Sequence, residues 1–205
     1  LSTELANLIS SPTSQLIDGL VSCGWAIVDD FISANLIHEL SSHQLFLFMQ
    51  GAFREAGVGA TAHHQQDVRD DFICWWNPGD LSSTQKRIWS LYEELRLAFN
   101  ETLYLNLSHS ELHYARYAPG SSYARHCDQL KGSDQRVIST VLYLNSKWKM
   151  PDDGGALCLY PPGDKTIEVA PVAGRLVCFR SDTIEHEVLA PTRERLSLTG
   201  WLRRG

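Results

Sequence analysis

The chain has no surplus of basic residues. Lys and Arg number 18 against 24 Asp and Glu, for a net charge of −6, so neither a nucleic acid nor an anionic membrane is expected as a partner. It has no C-x-x-C pair, and its cysteines (Cys23, Cys74, Cys127, Cys158 and Cys178) form an odd set. Both absences argue against a secreted disulfide framework and predict reduced thiols in a cytoplasmic location. Long apolar runs are missing too: the longest, Leu45-Phe46-Leu47-Phe48-Met49, is far too short to span a bilayer. The first residues show no basic segment leading into an apolar one, so no secretory signal is expected. Without an initiator Met, some residues are expected to have been trimmed or omitted. No internal repeat or low-complexity stretch is present. What remains is 205 residues, 43% hydrophobic and 20% charged, the size and composition of one globular domain with a sizeable core.

Residues 3–10 and 13–22 read as two short helices, with Pro12 near the start of the second and Gly24 just past its end. Trp25 to Val28 reads as a buried strand. Ser33 or Asp30 can cap a helix to about Gln50, with Leu36, Ile37, Leu40, Leu47 and Phe48 as its apolar stripe. The polar tract 57–71 lacks apolar periodicity and reads as a disordered segment or a mobile functional loop. Its His63-His64 pair is best taken as solvated. Phe72 to Trp76 reads as a strand closed by the turn Asn77-Pro78-Gly79. Ser82 or Ser83 caps a helix over 83–104, with Ile88, Leu91, Leu95 and Phe99 on one face. From Glu111 the pattern changes to short strands, expected at 111–117, 122–128, 136–144, 155–160, 165–170, 175–180, 185–189 and 193–202. A helical support over roughly 1–105 followed by eight strands over roughly 106–205 predicts a single α+β domain with a jelly-roll core.

The residues able to do chemistry are few. In a strand, side chains at i and i+2 share a face, so His126 and Asp128 can aim at one point while Cys127 turns away. With 8 His and 13 Asp in the chain, a His-x-Asp triplet arises readily by chance. His109-Ser110-Glu111 is a second His-x-carboxylate. The order is more telling: a third candidate ligand, His186, stands 58 residues beyond Asp128, and Arg195 nine beyond that. Two imidazoles and a carboxylate form the face that holds ferrous iron with open positions, and an Arg suits a carboxylate ligand. The bland alternative is a half-buried strand histidine bonded to Asp128, with Arg195 in a surface salt bridge to Glu194 or Glu187. On the last strand Arg195, Ser197, Thr199 and Trp201 share one face while Leu196, Leu198 and Leu202 share the other. So polar a face fits a ligand pocket better than a packed interior.

The stretch from Tyr114 to Trp201 resembles the iron- and 2-oxoglutarate-dependent dioxygenases, specifically their prolyl hydroxylase branch. The segments that carry the resemblance are Tyr117-Ala118-Pro119-Gly120, Tyr123 to Asp128, Arg136, Leu142-Tyr143-Leu144-Asn145 with Trp148, Gly154-Gly155-Ala156-Leu157, Ser181-Asp182, His186-Glu187-Val188, and Arg195 with Trp201. Upstream, Arg69-Asp70-Asp71 with Trp75 resembles the end of that branch's mobile substrate-covering loop. The resemblance implies a cupin-like double-stranded β-helix, with iron on His126, Asp128 and His186. It implies a 2-oxoglutarate site of Arg195, Tyr143, Thr199, Leu157 and Val188, and substrate contacts from Tyr117, Tyr123, Arg136, Trp201, Arg69 and Asp71. Fe(II), 2-oxoglutarate and dioxygen follow as cofactor and cosubstrates, with L-ascorbate as a candidate reductant.

By the same resemblance the activity is peptidyl-proline 4-hydroxylation. For bacterial members the implied partner is a protein with a target proline in a loop, such as a translation elongation factor. The oligomeric state stays open, a monomer being compatible, and oxygen sensing follows only if oxygen affinity is weak. Two other readings stand beside it. One is an oxygenase acting on another protein side chain or a free amino acid. The other is a cupin-like metal-binding or sensory module without turnover.

Overall fold

The structure, a computed structural model, describes residues 11–57, 68–129, 133, 135–163 and 165–205. The helix expected at 3–10 and most of the 57–71 loop, with His63-His64, lie outside the described residues. Helix α1 spans Pro12–Ser22, capped by the Ser11 hydroxyl, which accepts from the Ser14 amide at 3.1 Å. Strand β1 (Trp25–Val28) leads to α2 (Ala34–Met49), capped by Ser33. Strands β2 (Arg54–Glu55) and β3 (Phe72–Trp75) precede α3 (Ser83–Leu103). At its start the Ser82 hydroxyl accepts from the Gln85 amide while the Gln85 side chain accepts from the Ser82 amide, the reciprocal arrangement that satisfies two otherwise orphaned donors. Eight strands follow: β4 (His109–Tyr117), β5 (Tyr123–His126), β6 (Arg136–Tyr143), β7 (Leu157–Tyr160), β8 (Ile167–Val169), β9 (Leu176–Arg180), β10 (Glu185–Val188) and β11 (Arg195–Arg203).

Two antiparallel sheets result. The larger has the order β1-β9-β6-β11-β4-β3-β2 and the smaller β5-β10-β7-β8. Four of the eight later strands lie in each sheet, the double-stranded β-helix expected of the jelly-roll pattern. Strands β1, β3 and β2 widen the larger sheet on both sides.

Strand parity divides the interior. In β4, β6, β9 and β11 the even-numbered Leu112, Tyr114, Ile138, Leu142, Leu176, Cys178, Leu198 and Leu202 pack with α1, α2 and α3. The odd-numbered Ala115, Tyr117, Val141, Tyr143, Val177 and Phe179 face the smaller sheet with Leu157, Leu159 and Val188. Period-two alternation thus puts one core under the helices and a second between the sheets. In α2 the expected stripe shifts. Leu36, Leu40 and Gln44 are buried while Phe48 is exposed, because the Gln44 amide donates to the Ala115 carbonyl at 3.1 Å. In α3 the fully buried set is Ile88, Tyr92, Leu95 and Phe99, with Leu91 only half-buried. Among the described residues no helix is long and apolar enough to cross a membrane.

Candidate active site

Strand β5 ends at His126, so Asp128 sits in the bend after it rather than in the strand that the i, i+2 argument required. The side chains converge all the same. His126 Nε2 lies 3.6 Å from Asp128 Oδ1, and His186 Nε2 lies 3.6 Å from Asp128 Oδ2. His186 reaches them because β10 pairs with β5, placing His186 opposite His126. A register shift between His186 and Val188 also turns Tyr123, three residues before His126, onto the same inner face. Its ring stacks on His126 at 3.7 Å. Cys127 turns away, toward the Asp182 carbonyl.

Each imidazole is oriented from behind. His126 Nδ1 lies 2.7 Å from the Ala124 carbonyl and His186 Nδ1 lies 3.4 Å from that of Ile184. A carbonyl only accepts, so both Nδ1 atoms carry the proton and both Nε2 lone pairs point at the shared centre. His126 Nε2 is buried with no hydrogen-bond partner. Burial takes the His186 imidazole down to about 4, against the pull of Asp128. Burial alone would raise the Asp128 carboxyl. The imidazoles of His186 and His126 and the Ser139 hydroxyl outweigh it and hold the group well below the usual carboxylate range. Neutral imidazoles facing an ionised carboxylate are the protonation states a metal requires. Among the described residues, these three form the one set of ligand atoms grouped closely enough to hold a metal ion. The bland reading of His126 does not explain an unpartnered Nε2.

Arg195 is not at the surface. It is 1% exposed, its Nε donates to the Gly155 carbonyl at 2.9 Å, and one terminal nitrogen is buried without a partner. The expected surface partners are engaged elsewhere: Glu194 pairs with Arg116, and Glu187 accepts from the Tyr160 hydroxyl. The guanidinium instead lies 5.0 Å from the Tyr117 ring and 5.1 Å from that of Tyr143, whose buried hydroxyl also has no partner. Burial raises both phenols, so neither competes as an anion.

One cavity joins the two groups. His126, Asp128, His186, Arg195, Thr199, Leu157, Val188, Tyr117, Tyr123, Trp201 and Arg69 all line it. Tyr143, Arg136 and Asp71 stand just behind its wall. Asp71 is fully buried and grips Arg69 through two hydrogen bonds, and Arg69 in turn lies 4.5 Å over the Tyr123 ring. Arg136 stacks 3.6 Å over Trp201 and donates to the Asp128 carbonyl at 3.3 Å. The 68–70 segment is tied to β5, with the Ala124 amide donating to the Val68 carbonyl and the Ser122 amide to Asp70.

Residue-by-residue reading of the sequence missed several contributors. Ser139 donates to Asp128 Oδ2 at 2.6 Å, and its oxygen lies 2.8 Å from that of Ser181. His113, Ala115, Val141 and Phe179 also line the cavity. Their shared signal is odd parity on β4, β6 and β9, which acquires meaning once these strands are aligned with the pocket-facing residues of β11.

Residues 112–203 match the 2OG-Fe(II) oxygenase superfamily. A Caenorhabditis elegans hypoxia-inducible factor prolyl hydroxylase is 29% identical over 198 residues, 91% of this chain. The chain spans only 27% of that relative's length. A Pseudomonas putida prolyl-4-hydroxylase superposes with a TM-score of 0.88 at 39% identity, covering 94% of this chain and 99% of that one. A prolyl hydroxylase from Trichoplax adhaerens, solved with a hypoxia-inducible factor oxygen degradation domain peptide fragment, gives 0.85 at 26% identity over 93% of this chain and 88% of that one.

Proposed function

The chain belongs to the 2OG-Fe(II) oxygenase superfamily, as a prolyl-hydroxylase-like member, and from that premise we infer that it hydroxylates C4 of a proline within a protein substrate. Members of this family use Fe(II), 2-oxoglutarate and dioxygen; with these bound, decarboxylation of 2-oxoglutarate to succinate accompanies delivery of a hydroxyl to the substrate carbon. The observation that carries the reading is a buried Arg195 with a free donor in the same cavity as His126, Asp128 and His186. A buried cation without a counter-ion is costly unless a ligand supplies one.

In this reading His126, Asp128 and His186 hold the metal. The planar fork of Arg195 takes the far carboxylate of 2-oxoglutarate, and the Tyr143 hydroxyl supplies a further donor. Leu157 and Val188 form apolar walls, and Thr199 a hydroxyl beside the cosubstrate. Tyr117, Tyr123 and Trp201 shape an aromatic slot for the target ring, which excludes water from the reacting carbon. Arg69, held by Asp71, fixes Tyr123 from outside, and Arg136 fixes Trp201.

A translation elongation factor is the candidate protein, as the resemblance to bacterial members of the prolyl hydroxylase branch implies. Five unpaired thiols support a reducing, cytoplasmic setting. The aromatic slot favours a prolyl peptide over a free amino acid or another side chain. A module that bound metal alone would have no use for the unpaired Arg195 donor.

The test is incubation with ferrous iron, 2-oxoglutarate and either a purified elongation factor or a cell lysate, read by peptide mass spectrometry against His126→Ala. A one-oxygen mass gain on a prolyl residue that depends on His126 is expected. Gain on a different residue type overturns the prolyl assignment, and no His126-dependent gain overturns the activity.

A further inference from the structure

His113 is the one buried histidine of the described chain with neither ring nitrogen bonded. It is 1% exposed and lines the cavity. Its ring stacks on Trp201 at 5.3 Å and leans on Trp75 at 4.6 Å. An aliphatic or thioether side chain would fill this aromatic corner without stripping water from two polar atoms. Burial, together with the cations of Arg69 and Arg136, keeps the imidazole well below its ordinary value, against the pull of Asp128. It is therefore neutral, with one N–H and one lone pair: a match for a peptide group rather than for a carboxylate.

Position separates it from the cosubstrate end. In the β4–β11 pairing Tyr117 stands opposite Arg195 and His113 opposite Thr199. Four residues of β4 put about 13 Å of strand between His113 and Tyr117, so His113 lies toward the metal end of the cavity and not beside the Arg195 guanidinium. Trp201, its stacking partner, lies opposite Ser139, which supports Asp128. His113 thus sits level with the metal ligands, on the opposite wall.

We propose that His113 is a specificity residue of the substrate channel, its ring N–H donating to a backbone carbonyl oxygen of the peptide at the target residue. This rests on the prolyl reading above. The test uses protein loaded with Zn(II), a diamagnetic stand-in for iron, and 2-oxoglutarate, with 15N-labelled histidine and tryptophan. N-acetyl-L-proline N-methylamide is the probe; N-acetylpyrrolidine, lacking the prolyl carbonyl, and N-acetyl-L-alanine N-methylamide are controls. The Trp201 indole signal reports occupancy, and the His113 ring nitrogens report the hydrogen bond.

The prolyl probe is expected to shift both residues, and N-acetylpyrrolidine Trp201 alone. The variant H113M should then bind the probe about fivefold or more weakly, as loss of one neutral hydrogen bond implies, with 2-oxoglutarate affinity within about twofold on the same scale. A prolyl probe that shifts Trp201 but not His113 overturns the assignment and leaves the prolyl reading standing. Equal shifts from the alanyl probe keep His113 as a carbonyl contact and overturn the prolyl reading. No shift at either residue overturns both. A His113 response to 2-oxoglutarate alone, with no further change from the probe, assigns the residue to the cosubstrate and ends the proposal.

Discussion

The Ser139 hydroxyl donates to Asp128 Oδ2 at 2.6 Å, from the middle of β6, across to a carboxylate that has already left its own strand. Asp128 is therefore aimed not by strand geometry but by the neighbouring sheet. Ser139→Ala removes that grip and leaves the carboxylate free to rotate. Groups that orient a ligand from behind are worth roughly 10- to 100-fold in metal affinity, so a loss of about tenfold is expected in chelator-competition titrations. Ser181→Ala, one hydroxyl further back, should cost less. Equal affinity in wild type and Ser139→Ala would show that the bond has no role in aiming Asp128.

Arg195 makes the second prediction. Its unpaired nitrogen is poised for a ligand, and Lys cannot present the same planar fork. Losing one charge-assisted hydrogen bond costs about 1.5–3 kcal/mol, roughly ten- to hundredfold in affinity. Arg195→Lys should weaken 2-oxoglutarate by that factor in calorimetric titration of metal-loaded protein, with metal affinity unchanged. The Tyr143 hydroxyl is likewise buried and unpartnered. Tyr143→Phe should therefore weaken 2-oxoglutarate while leaving the melting temperature of the ligand-free protein unchanged or raised. A drop in that temperature without a change in affinity would make Tyr143 a packing residue only.

Acid should destabilise the metal-free protein in two stages. His186 is taken from 6.5 to about 4 in the fold, chiefly by burial. Between those values the unfolded chain binds a proton there that the folded chain refuses, so stability falls as pH falls through that window. Asp128, held below the usual carboxylate range, adds its own loss at lower pH. Urea midpoints of chelated protein between pH 7 and 4.5 should therefore decline, and His186→Gln should remove part of the slope, up to about 1.4 kcal/mol per pH unit. Parallel curves for the two proteins would mean that His186 titrates normally.

How far the sequence alone carries depends on which atoms do the signalling. His126, Asp128, His186 and Arg195 are residue types whose spacing points to chemistry, and all four line one cavity. The strands were legible from alternation of residue type, although β11 is buried on both faces, Leu198 and Leu202 against the helices and Arg195 and Trp201 against the cavity. Ser139 and His113 were not, because a hydroxyl or imidazole within a strand has no distinguishing neighbours in sequence. Their roles depend on register: Ser139 faces Trp201 and His113 faces Thr199 across β11. Gln44 escaped for a related reason. Hydrophobic periodicity counts apolar residues, and the buried position there is an amide bonded to Ala115 on another element. Asp128 was legible as a ligand but not as a bend residue, since the break in β5 is set by its pairing with β10.

Gly155 ties the loop before β7 to the cosubstrate end, and its replacement separates fold from site. Its φ is +68, and a Cβ there would stand 3.0 Å from Pro191 Cβ, 3.2 Å from Arg195 Cδ and 3.2 Å from Trp148 Cζ2. Its carbonyl is also what Arg195 Nε donates to. Gly155→Ala meets the left-handed backbone penalty of about 1–2 kcal/mol, equivalent to a few degrees in melting temperature for a chain of this size. Relief of the contact by motion of the Arg195 stem would shift the guanidinium off its carbonyl anchor. The expected result is a modest loss of stability with a larger loss of 2-oxoglutarate affinity, and with metal affinity intact, because His126, Asp128 and His186 are held by other elements. Equal losses of metal and 2-oxoglutarate binding would instead mean that the two halves of the pocket move as one, and that Arg195 is not independently positioned by the Gly155 carbonyl.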